Sequence, residues 1–223
     1  MSWRVSVKLS NKLSRNPKLA TIIAAGIESS VTPLGFRATG RRWTWARPNN
    51  ELTHLVGVLS KGSSYSLQWS VGCPAAAQIL WGQGDARDIA YNLMAGVPSG
   101  VVPGAINGWS LEESTTNTQV QEIVDSLGSS LVELSHWLTQ FGTRRALWTY
   151  LIANRNPVDN REFVFPAILP FKMAAAAALA LAGGDREGCE LLADVRLTNH
   201  GFRDKLAKGR LTRIEAAARE VCG

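Results

Sequence analysis

Acidic side chains are nearly missing from residues 1–61, which hold Glu28 and Glu51 against ten Lys/Arg. That part therefore carries +8 and the remainder −2, within a total of +6. A basic front half calls for an anionic partner, whether nucleic acid, an acidic protein surface or lipid headgroups; the plainer reading is locally clustered surface charge. Cysteine is scarce as well. Cys73, Cys189 and Cys222 are few, distant and odd in number, so their spacing supports neither a disulfide framework nor a zinc cluster, and reduced thiols in a cytosolic protein are expected. Long apolar runs are missing too. "FKMAAAAALALAGG" is too short and too alanine-rich to span a bilayer, and "MSWRVSVKLSNK" lacks the apolar core of a signal peptide. A cytoplasmic protein without membrane association is expected.

The motifs of chemistry are also lacking. His54, His136 and His200 each stand apart from a second His or Cys at ligand spacing, so no metal site is expected. No Gly-x-Ser-x-Gly elbow is present, and "GQGDAR" lacks the Lys-Ser/Thr of a phosphate-binding loop, so no cofactor is expected either. The carboxylate pairs Asp85–Asp88 and Glu112–Glu113 lie beside helix starts or loops, where such groups cap or face water.

What the sequence does contain is a globular balance of 45% hydrophobic and 19% charged residues over 223 positions. Trp3, Val5, Val7 and Leu9 alternate with polar neighbours as in a short strand. Leu19, Ile22, Ile23, Ile27 and Val31 line one face of a helix that ends before Pro33, with Gly35 as its flexible exit. Strands are expected over 38–47, 51–60 and 64–72, joined by turns at "PNN" and "KGSS". Tyr65, Leu67, Trp69 and Val71 alternate with polar residues, which gives the last strand one buried face. "DIAYNLMAGV" is ambiguous between strand and helix, and "GWSL" reads as one more short strand. Beyond it, Thr118 and Gln121 suggest a capping box. The seam Val120, Val124, Leu127, Leu131, Leu134, Leu138 and Phe141 suits packing inside the chain rather than a coiled coil. Thr143 can cap the next helix. "AGGDRE" separates two more, and a final pair is expected around "AKGRLTR".

Two stretches stand out as candidate binding surfaces. In "GFRATGRRWTWARP", a strand over 41–47 puts Arg41, Trp43, Trp45 and Arg47 on one face and Arg42 on the other. Exposed, that face would suit stacked bases and phosphates. Packed against Tyr65, Leu67 and Trp69, it would bury both tryptophans and leave Arg37, Arg41, Arg42 and Arg47 as a positive rim, and this second arrangement is the one expected. The glycine–proline loop 96–108 carries Val97, Val101, Val102 and Ile106, which either pack down on the sheet or offer a partner surface.

The order of these segments resembles a known family. A helix running into "PLGF", the strands "RRWTWAR", "ELTHLVGVLSKG" and "YSLQWSVGC", then "GWSLEES", "ELSHWLTQFGTRRALWTYL" and "AAAAALALAGGDREGCELLA" together resemble the uncharacterised, mainly bacterial domain of unknown function 4304. The resemblance runs over residues 17 to 195, with little to align in 73–108. It implies an α+β domain with an antiparallel sheet and C-terminal helices, and it implies no activity and no site residue.

The expectation is an α+β protein: an antiparallel meander packed on an N-terminal helix over residues 1–115, and a helical region over 116–223 packed on it as an extension of one continuous domain. The function expected is that of a non-catalytic bacterial protein-interaction module, accessory or immunity-type, binding a partner protein through Arg37, Arg41, Arg42, Arg47, Val97, Val101 and Val102. The alternatives are nucleic-acid binding by the basic sheet surface, and an enzyme whose site assembles from distant residues.

Overall fold

Every fourth residue from Leu19 (Leu19, Ile23, Ile27 and Val31) is buried along one stripe of the first helix, α1 (Pro17–Val31). The structure is a computed structural model that describes residues 17–82, 93–154, 169–199 and 205–223; the strand expected over residues 3–9 lies outside them. Ile22, grouped by periodicity with the inward stripe, faces outward and is 48% exposed. A single 3-10 turn (Thr32–Leu34) follows, and Gly35 reverses the chain at φ +89°, a conformation open to a residue without Cβ.

The sheet is antiparallel, in the order β1 (Arg37–Ala38), β2 (Thr44–Asn49), β3 (Leu52–Lys61), β4 (Ser64–Gly72) and β5 (Met94–Gly96), with β6 (Gly108–Ser110) also pairing with β4. The turns at 50–51 and 62–63 are two-residue hairpin loops, with Asn50 and Gly62 at positive φ. One expectation needs correcting. Residues 38–47 are not one strand but a hairpin, because the chain turns over 39–43 and Gly40 and Trp43 take φ +82° and +52°. On one face, register brings Trp45 opposite Val56 and Trp69, with Tyr65, Leu67 and Val71 beside them, all buried. Burying each such side chain stabilises by about 1.5–3 kcal/mol.

Helix α2 (Pro74–Trp81) starts on a proline and stops at Gly82, whose φ of +74° lets its N–H reach the Gln78 carbonyl. The seam from Val120 forms α3 (Asn117–Leu138), with its apolar residues turned into the same core as α1 and the sheet. Its capping box is Thr116 with Gln119, two residues before the expected pair. Gly26 of α1 sits against Val124 and Gly128 of α3 against Ser30, so the two helices run parallel and very close. Thr143 caps α4 (Arg144–Ala153) as expected. The alanine-rich α5 (Leu169–Leu181) is wrapped by α2, α4, α6 (Glu187–Asn199) and α7 (Lys205–Cys222). Around "AKGRLTR" there is one continuous helix, α7, rather than two. Cys189 of α6 and Cys222 of α7 are joined as a disulfide, which corrects the expectation of three reduced thiols; Cys73 is free and buried. No helix among the described residues is long and apolar enough to cross a membrane.

The turn of the β2–β3 hairpin grips the junction of α3 and α4. Asn49 Nδ2 donates to the Phe141 carbonyl at 3.1 Å and Asn50 Nδ2 to that of Gly142 at 3.0 Å. The Glu51 carboxylate accepts from the Arg144 N–H at 2.9 Å and pairs with its guanidinium at 2.9 Å, where the N-terminus of α4 favours negative charge.

Candidate functional site

Four arginines crowd the hairpin, and the fold gives each a different task. Arg47 lies on the inward face with Trp45. Its Nη1 donates to the Leu34 carbonyl at 3.1 Å and to Ser135 Oγ at 2.8 Å, its Nη2 donates to His54 Nδ1 at 3.0 Å, and its guanidinium lies 4.8 Å from the Phe36 ring. It ties the sheet to α3 and belongs to no exposed rim. Arg37 is exposed, but its Nη1 turns back to the carbonyls of Thr32 and Phe36 at 2.9 and 2.8 Å. Arg42 lays its guanidinium 4.0 Å above the Trp43 ring. Arg41 lines a cleft.

That cleft, of about 250 Å³, opens between α1 and the β1–β2 hairpin. Its α1 wall is the stripe Thr21, Ala24, Ala25 and Glu28, spaced to share one side of the helix; Ala38, Arg41, Trp43 and Trp45 face it from the hairpin. The small side chains at 21, 24 and 25 leave the space open. Trp45 closes its base and is buried, while the half-buried Trp43 forms a wall held from behind by Tyr65, 5.7 Å away between ring centres. A φ of +52° is costly for a residue as bulky as tryptophan, and such backbone outliers concentrate at functional positions. The volume is small for a cofactor or drug-sized ligand and suits one or two side chains. One cation, Arg41, and one carboxylate, Glu28, border a space whose other lining is alanine, tryptophan and the threonines Thr21 and Thr44.

The valine loop packs down. Val102 is buried, Val97 and Val101 are partly covered, and the Val97 carbonyl accepts from Trp69 Nε1 at 3.1 Å. Neither Val97, Val101 nor Val102 lines the cleft.

Comparison with family models, with curated proteins and with solved structures yields no match. The chemistry of the site must speak for itself.

His54 is fully buried. Because a guanidinium only donates, His54 Nδ1 must accept from Arg47, so Nε2 carries the proton and donates to the Phe141 carbonyl at 3.0 Å. Burial pushes its pKa down to about 4; the Phe141 bond opposes this and the Arg47 cation adds to it. This is a neutral structural histidine. His136 is exposed on α3, and His200 and the Asp85–Asp88 pair lie outside the described residues. Glu112 and Glu113 are exposed in the turn before α3. Among the described residues no three His, Cys, Asp or Glu side chains gather at metal-binding distance. The large residues of α1 dominate its periodicity and mask the small-residue stripe that shapes the cleft, although Thr21, Ala24 and Ala25 show the same helical spacing.

Proposed function

We propose that the chain is a protein-interaction module that takes an acidic, partly apolar segment of a partner protein into the cleft between α1 and the β1–β2 hairpin. The observation that carries this reading is the cleft itself: space for one or two side chains, a tryptophan wall and Arg41 at its mouth. Arg42 on the hairpin and the half-exposed Ile22, three residues before Ala25 on α1, extend a basic and apolar border around it. An acidic group of the partner would meet Arg41, and an apolar neighbour would fill the space over Ala24, Ala25 and Trp45.

One feature weighs against nucleic acid as the occupant: the Trp43 ring is flanked by Arg42 and Tyr65 rather than open for base stacking. Kinship with domain of unknown function 4304 is a further part of the proposal and rests on the sequence resemblance; an accessory or immunity-type role in a bacterial cytoplasm is another, and rests on analogy with small bacterial α+β proteins that carry no catalytic motif.

The test is selection of displayed peptides on the purified protein. Enriched peptides should combine Asp/Glu with an apolar side chain, and Arg41→Glu or Ala25→Trp should each weaken their binding at least tenfold. Peptides that bind both variants as well as wild type would place the surface elsewhere. Tight, steeply salt-dependent retention of single-stranded nucleic acid, with no peptide enriched, would overturn the reading in favour of the nucleic-acid alternative.

A further inference from the structure

We propose that Cys189 and Cys222 form a reversible thiol–disulfide exchange site that accepts a small anionic thiol, and that the state of the bond sets how firmly the end of α7 is tied to α6. Cys189 stands in the first turn of α6 and Cys222 in the last turn of α7, 33 positions apart in sequence and with 6.7 Å between their Cα atoms. The bond is not closed off from solvent as the free, buried Cys73 is. It is half-buried and both cysteines line an open cleft of about 300 Å³ together with Leu192, Arg196, Glu215 and Arg219. A thiol can therefore reach the bond.

The lining also selects the thiol. Among the side chains of the lining, Arg196 and Glu215 neutralise one another at 2.8 Å, and the exposed Arg219, one turn before Cys222, is the remaining charged one. An anionic thiol is favoured over a cationic one. Its thiolate attacks Cys222 Sγ to form a mixed disulfide; the Cys189–Cys222 bond breaks and its electron pair leaves on Cys189 Sγ, which takes a proton from solvent. The Cys189 thiol then has an acceptor in the Ala218 carbonyl, 3.9 Å from Sγ. A second thiol attacks the mixed disulfide, so two small thiols are oxidised to their disulfide while one protein disulfide becomes two thiols.

Reduction leaves the rest of α7 anchored. Ile214 and Ala218 stay buried, and Arg213 still donates to the last carbonyls of α2, at 3.1 Å to Ile79 and 2.6 Å to Leu80. The site lies on other helices than the α1 cleft, so this inference stands or falls independently of the partner-binding reading.

The experiment equilibrates the full chain in buffers of graded reduced-to-oxidised glutathione ratio, quenches with an alkylating reagent and reads each cysteine by mass spectrometry. Cys189 and Cys222 should become labelled together through one midpoint while Cys73 stays protected in the folded protein. Cys189→Ser should trap glutathione on Cys222. Arg219→Glu, an exposed substitution compatible with folding, should slow reduction by glutathione at least threefold without slowing reduction by the cationic thiol cysteamine. Thiols that label at every ratio, or a bond that opens only when the protein is unfolded, would sink the exchange site. An unchanged glutathione rate in Arg219→Glu would sink the preference for an anionic thiol.

Discussion

Arg47 Nη2 donates to His54 Nδ1 at 3.0 Å, and this bond makes a half-buried cation the neighbour of a titratable, fully buried ring. Among the described residues no carboxylate pairs with Arg47; neutral acceptors on Leu34, Ser135 and His54 hold it. Protonating His54 would remove one of those acceptors and set a second cation against the first.

The pH dependence of stability follows. His54 has a folded pKa of about 4 against 6.5 for the ordinary group, so between these values the unfolded chain binds more protons than the folded one. Its contribution is complete above pH 6.5, falls as pH drops through that window and is gone below pH 4. The loss amounts to about 3 kcal/mol. Urea unfolding from pH 7 to 4 should show it as the difference between wild type and His54→Gln. Parallel profiles for the two proteins would mean the ring does not titrate in this way.

Arg47 and Arg41 should separate cleanly. Arg47→Met removes a half-buried set of donors and strands the acceptors of Leu34, Ser135 and His54, at a cost of about 1–3 kcal/mol. Arg41→Ala, on the surface, should change stability by no more than about 0.5 kcal/mol. Denaturation midpoints measure both, and the reverse ranking would return Arg47 to the surface.

Gly26→Ala tests the approach of α1 to α3. Alanine raises helix propensity by about 1 kcal/mol. Its Cβ, however, would lie 2.5 Å from Val124 Cγ1, on a stiff β-branched side chain. Overpacking costs about 1–3 kcal/mol and should win, giving a less stable protein. A more stable Gly26→Ala variant would show that the helices can part without penalty.

Much of the fold follows from local pattern. The four-residue spacing in α1, the alternation in β4, the α3 seam and the Thr143 cap act over a few residues, and each is legible because helix and strand periods place neighbours on one side. The α2 helix is not among the elements expected from sequence: Pro74 and Gly82 bound "PAAAQILW", but its eight residues carry too little periodicity to stand out. The alternation even placed Arg47 on the tryptophan side. It could not tell that Arg47 would be drawn inward, since its acceptors come from Leu34 and Ser135, 13 and 88 positions away.

The opening basic stretch shows where local information ends. Its composition determined an arginine–tryptophan surface at the start of the sheet. Tertiary structure decided that the stretch is a hairpin, that one arginine holds the core, one turns back on itself, one covers a tryptophan and one borders a cleft. The pairing of Cys189 with Cys222 belongs to the same class, because it depends on two helices meeting across 33 positions. Local sequence sets conformation through sterics and period; which charged groups become buried, and which thiols meet, is settled only when distant elements compete for the same acceptors and the same space.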